Sequence, residues 1–191
     1  MKFISHVIIF HYKMTSIVIS SSTEVIEEAK FFGDEELETL TFEDGETPLI
    51  IEDEAFAFCE KLSKINFGNR KIKLGRACFE CCPIVKLEIP PNVILGDRCF
   101  SDSYQLKELK VDTSIIPYSC FGFNVCGSVI ESIYISDNVS EIGEQAFMGI
   151  DEISNIRLPD YPITIGENAF DVELEFTEPL RDFQQSWERT T

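Results

Sequence analysis

Histidine is nearly missing from this chain of 191 residues: His6 and His11 are the only two, and both lie near the start. A cysteine or serine nucleophile normally needs a general base beside it, so the scarcity removes most nucleophilic and histidine-metal chemistry. Basic residues are also few, 16 against 34 acidic, for a net charge of -18. Such a charge repels phosphate backbones at long range, and nucleic acid is not an expected partner. No apolar run reaches the roughly 18 to 20 residues that span a bilayer. The apolar N-terminal stretch MKFISHVIIFHYK is interrupted by His6, His11 and Lys13 and reads as structure rather than as a cleaved signal. Phosphate-cradling glycine loops, EF-hands and metalloprotease motifs are missing as well, so no catalytic, cofactor or metal residue is assigned.

The chain does contain a repeat. An aliphatic residue is followed five positions later by Phe at Ile26/Phe31, Ile51/Phe56, Leu74/Phe79, Leu95/Phe100, Ile116/Phe121, Ile142/Phe147 and Ile165/Phe170. The residue before each Phe is small in all copies but the first: Lys30, then Ala55, Cys78, Cys99, Cys120, Ala146 and Ala169. Three apolar residues then follow at spacings of three and two, as in Leu62/Ile65/Phe67, Ile84/Leu87/Ile89 and Ile133/Ile135 after Ile130. Their last two members alternate as a half-buried strand requires. Phe-to-Phe distances run 25, 23, 21, 21, 26 and 23 residues, the period of a solenoid coil that can bury its apolar side only against its neighbours.

The copies I-G-E-x-A-F, Cys59 and Cys82 three after a Phe, L-x-x-I-x-I, and a proline after the strand in LEIPPNV and IRLPDYP resemble the BspA-like leucine-rich repeats over about residues 14 to 176. The chain departs from common leucine-rich repeats in having no Asn ladder, and from its own class where Gly68, Asp112 and Ser136 replace the proline. The resemblance implies an α/β-type, mainly β repeat solenoid, a right-handed superhelix in one domain. It carries a parallel concave sheet, short 3-10 or turn elements on the other side and a C-terminal capping helix. In EFTEPLRDFQQSWERTT, Thr177 is the expected N-cap, Pro179 lies in the first turn, and Leu180, Phe183 and Trp187 sit at helical spacing. Residues 177 to 191 are thus the expected C-terminal cap and residues 1 to 13 an N-terminal one.

The cysteines follow the same register. Cys78, Cys99 and Cys120 share the small position before Phe, and Cys59 and Cys82 form a second column, so they are expected to be buried as small hydrophobes. Cys81 and Cys126 fall off these columns and are the expected reactive thiols. An odd number, seven, speaks against a complete disulfide framework. Glu52, Asp53 and Glu54 fill the exposed positions between Ile51 and Phe56 and read as solvated carboxylates. Asn138-Val-Ser140 is a glycosylation sequon that matters only in a secreted chain.

Two surfaces are candidates for a protein partner. The outward strand column is Val18, Thr41, Asn66, Glu88, Lys110, Tyr134 and Arg157, where Tyr134 beside Lys110 and Arg157 is the expected hot spot. The second is the basic loop GNRKIKLGR, with Arg70, Lys71, Lys73 and Arg76 in a band of ten bases and five acids over residues 61 to 110. Either stacked loops neutralise one another there, in which case reversing Arg70 and Lys71 should change stability slightly, or the loop docks an acidic partner. The resemblance implies proteins of bacteria and anaerobic protists, many of them surface proteins concerned with adhesion or host contact and others intracellular. The expected function is therefore non-enzymatic recognition of a protein, possible at the cell surface or after secretion. An intracellular scaffold or regulatory subunit binding a signalling enzyme is the alternative, and free buried thiols favour the cytoplasm.

Overall fold

The computed structural model describes residues 15–122 and 128–170. Cys126 and the expected caps, at 1 to 13 and at 177 to 191 with Thr177, Pro179 and Trp187, lie outside the described residues. Sixteen short strands follow one another among the described residues. They begin with β1 (Ser16–Ile19), β2 (Val25–Ile26), β3 (Thr39–Phe42), β4 (Leu49–Ile51), β5 (Lys64–Asn66) and β6 (Ile72–Leu74). Next come β7 (Lys86–Ile89), β8 (Val93–Ile94), β9 (Glu108–Val111), β10 (Ile115–Ile116) and β11 (Ser128–Ile130). The last are β12 (Ser132–Ile135), β13 (Glu141–Ile142), β14 (Ile150–Ile153), β15 (Ile156–Arg157) and β16 (Thr164–Ile165). No helix occurs among the described residues.

Every pairing is parallel and joins one coil to the next. The strands of the apolar triplets form a first row, β1-β3-β5 and then β7-β9-β12-β15. A second row, β2-β4-β6-β8 and then β10-β13-β16, carries the aliphatic residue of every Ile-to-Phe motif but one, Leu95 following directly after β8. This second sheet stands where short 3-10 elements were expected. Its strands are only two or three residues long, too short for a period-2 signal to emerge from the sequence. Between them the two rows enclose a core in which the triplets from Leu37 to Ile135 are buried, along with Ile51, Leu74, Ile116 and Ile142.

The turn that carries each Phe is a third ladder. The residue two before Phe is left-handed in all seven copies: Ala29, Glu54, Ala77, Arg98, Ser119, Gln145 and Asn168, with φ between 49 and 57°. A second left-handed residue follows the Phe by two at Gly33, Phe58, Cys81, Asp102 and Gly149. Alternating hands aim alternate amides along the stack. Phe56, Phe79, Phe100 and Phe121 thus donate to the carbonyls of Cys78, Cys99, Cys120 and Ala146 at 2.8–2.9 Å. The amides between close turns on themselves, such as Ala57 to Glu54 and Glu80 to Ala77. A 3-10 helix keeps φ negative and its bonds inside one coil, so it could not join neighbours this way. A left-handed non-glycine costs about 1 kcal/mol; the rings stacked above it offset that cost. Phe31, Phe56, Phe79, Phe100, Phe121, Phe147 and Phe170 form one column with centroids 4.8–5.8 Å apart and planes within 15°.

Candidate binding faces

The outward column of the first sheet lies in register as the repeat implies: Val18 beside Thr41, Thr41 beside Asn66, Glu88 beside Lys110, and Tyr134 between Lys110 and Arg157. The Asn66 amide donates to Thr41 Oγ1 at 3.1 Å. Lys110 Nζ lies 5.9 Å and Arg157 Cζ 5.0 Å from the Tyr134 ring centre, both within cation–π range. Sequence reasoning placed these three side chains together, and the structure does so. Arg157 has a further task, however. Its guanidinium donates to the Ile135 carbonyl at 2.7 Å and to Asp137 Oδ1 at 2.6 Å, with Asp160 at 3.6 Å. Its fork is already occupied within the chain.

The basic loop divides. Arg70 is fully buried and does not belong to any surface patch. Its Nε donates to the Thr47 carbonyl at 3.1 Å, Nη1 to Ser20 at 2.9 Å and Nη2 to Thr23. One guanidinium thereby ties together turns from three coils. Burial lowers its pKa, and Glu43 acts in the opposite direction. The expectation that reversing Arg70 changes stability only slightly is overturned, because a fully buried guanidinium bonded to one buried and two part-buried carbonyls would be lost. Neither loop neutralisation nor docking describes this residue. A charge in a loop gave no hint of it, since the carbonyls it satisfies lie 23 to 50 residues away. Lys71 and Lys73 are exposed, Lys73 on the outer face of β6. Arg76 faces Glu54 Oε1 at 2.6 Å and Asp53 Oδ2 at 3.7 Å.

The acidic corner residues bridge coils as well as meeting solvent. Glu52 Oε2 accepts the Glu28 amide at 3.0 Å, and Asp53 Oδ1 accepts the Arg76 amide at 2.8 Å. The two thiol columns are buried as expected. Cys59 Sγ points to the Phe31 carbonyl and Cys82 Sγ to that of Phe56, each at 3.2 Å. Burial raises the Cys78 and Cys120 thiols well above their usual value. It also pushes Cys81 up to about 11, against the expectation of a reactive thiol, because reactivity follows the thiolate.

Sequence reasoning missed the outer face of the second sheet. The residue six before each ladder Phe points outward there, and Val25, Ile50, Ile94 and Ile115 are 45 to 61% exposed. Ile50 and Lys73 line a shallow depression of about 350 Å³ with Glu28, Glu52, Asp53 and Gly75. The signal was present as a second aliphatic residue just before the motif's own, as in Ile50-Ile51 and Ile115-Ile116, but in a single chain it reads as extra core.

Coils of 21 to 26 residues, joined by parallel strands and a continuous ring column, define a leucine-rich-repeat solenoid. The model of the BspA type Leucine rich repeat region matches residues 3–126 and 114–178 in 6 copies, and the chain belongs to that family. Among solved structures it is similar to a leucine-rich repeat protein from Bacteroides ovatus, with 19% identity and a TM-score of 0.48 over 82% of this chain. The match spans 58% of that protein's length. No curated protein matches the chain.

Proposed function

We propose that this chain is a non-enzymatic protein-interaction module that recognises its partner through the outer face of the first sheet and the adjoining loops. The observation that carries the reading is the in-register display of Glu88, Lys110 and Tyr134 along β7-β9-β12, one side chain per coil, with Asn66 on β5 of the preceding sheet. Such a frame holds contact residues without further ordering cost, which favours affinity. Leucine-rich repeats are in general protein-interaction modules, and extended solenoid faces serve that use. Adhesion or host contact is the finer role. An intracellular scaffold or regulatory subunit is the second reading, supported by six free cysteines among the described residues, which suit a reducing cytoplasm.

Chemical cross-linking with mass spectrometry tests the proposal in two settings, a host surface extract and the lysate of the source cell. Cross-links from Lys110 and loss of capture in Lys110→Glu and Tyr134→Ala support the sheet face. Capture unchanged in both variants removes that face, and no protein captured in either setting removes the module reading. The setting that yields the partner decides between adhesion and scaffold.

A further inference from the structure

The second sheet bears an apolar stripe that its fold does not require. In register, its outward residues are Val25, Ile50, Lys73 and Ile94, and Ile115 holds the same position one coil further on. Val25 is 45% exposed, Ile50 48%, Ile94 61% and Ile115 45%. Outward positions on a one-sided sheet are normally polar, and the last two coils obey this with Glu141 and Thr164. Lys73 continues the stripe through its methylene stem while keeping its ammonium in water. These side chains do not support the core, whose inward partners Ile26, Ile51, Leu74 and Ile116 are buried separately.

Spacing selects the occupant. Adjacent coils lie about 4.8 Å apart, so four steps from Val25 to Ile115 cover about 19 Å. An α-helix lying along the stack advances about 5.4 Å per turn and drifts by only about 0.6 Å per coil. An extended segment repeats every two residues at about 6.7 Å and drifts by about 1.9 Å per coil, which takes it out of register within two coils. A helix of about 14 residues with apolar residues at i, i+4, i+7 and i+11 would therefore set one apolar side chain on each of four successive coils.

Charge selects its flank. Glu28, Glu52 and Asp53 border the depression at Ile50 and Lys73. Arg76 is engaged by Asp53 and Glu54, and among the described residues no ion pair reaches Glu28 or Glu52. With a net charge of -18, a second copy of this chain would bring a like-charged rim, and an anionic lipid surface would be repelled. We propose that the outer face of the second sheet docks an amphipathic helix of a partner protein, its apolar side on Val25 to Ile115 and a lysine- or arginine-rich flank against Glu28 and Glu52. This deepens the interaction-module reading and rests on it, while using a different face.

The test is fluorescence anisotropy of labelled synthetic helices against the full chain. The probe carries leucine at i, i+4, i+7 and i+11 with a lysine flank; one control has a glutamate flank, and another has serine in place of every leucine. The probe is expected to bind at least about tenfold tighter than either control. Ile50→Ser with Ile94→Ser should lose about tenfold in affinity, and Glu28→Lys with Glu52→Gln should weaken binding most at low salt. Both variants should keep the wild-type circular dichroism, since the altered side chains point away from the core. Equal binding of the serine control, unchanged binding by the isoleucine variant, or a dimer in sedimentation that Ile94→Ser abolishes would overturn the proposal. If the helices fail while capture through Lys110 and Tyr134 persists, helix docking alone falls; if both fail, so does the module reading.

Discussion

Arg70 ties the turns of three neighbouring coils together. Replacing it with methionine keeps much of its length but removes the guanidinium donor from the Thr23 and Thr47 carbonyls and leaves that of Ser20 with the Thr23 amide alone. Arg70→Met should therefore lose about 3 kcal/mol or more in urea unfolding. Lys71→Met next to it, at an exposed position, should stay within about 0.5 kcal/mol of wild type. Two glycines make a matching contrast. Gly33 has φ +67, and a Cβ added there would meet nothing within 4 Å, so Gly33→Ala should cost about 1 kcal/mol from backbone conformation alone, and Gly33→Asn less. At Gly96 the φ is ordinary but a Cβ would strike the Gly75 backbone, just as one on Gly75 would lie 2.6 Å from the Asp53 amide nitrogen. Backbone cannot move aside as a side chain can, so Gly96→Ala should cost about 3 kcal/mol by the same denaturation measurement. The glycine in the motif I-G-E-x-A-F thus exists for coil-to-coil approach.

At the scale of elements, the Phe turn is the part that makes one coil depend on the next. Phe147 is fully buried between Phe121 and Phe170, with centroids at 5.4 and 4.8 Å. Phe147→Ala should lose about 3 to 5 kcal/mol. Phe170, only partly buried, should lose distinctly less, and thermal unfolding of the two variants compares them. The exposed Glu144 and Glu167 in the same motifs tolerate replacement. This division between ring and carboxylate was legible in the sequence, because the interval of five between aliphatic and Phe recurs in every copy. The hand of the turn was not. Glu54, Ala77 and Arg98 share no side-chain chemistry, and their left-handed backbone is imposed by the amides that must reach the neighbouring coil.

Across the whole molecule, the Cys78 and Cys120 thiols make the fold sensitive to alkali. The unfolded thiols ionise near their usual 9.0, whereas burial holds Cys78 and Cys120 protonated in the folded state to much higher pH. Above about pH 9 the unfolded chain releases protons that the folded chain retains, so stability falls as pH rises, by ~1.4 kcal/mol per pH unit for each such thiol. Below pH 9 the contribution is fully present. Urea unfolding between pH 8 and pH 11 should show this slope, and Cys78→Ala with Cys120→Ala should flatten it.

The sequence by itself determined the period, the inward and outward alternation of the first sheet, the ring column and the burial of the thiol columns, including the meeting of Lys110, Tyr134 and Arg157. All of these follow from spacing, and spacing within one coil fixes which side of the backbone a residue occupies. Tertiary structure alone decided the rest. Arg70 is buried because stacking brings carbonyls from the turns of two other coils around one guanidinium, and the exposure of Ile50 and Ile94 went unread because the strands that hold them are too short to announce a second face. A repeat writes its inside into each coil, whereas partners along the stack exist only once the coils are stacked.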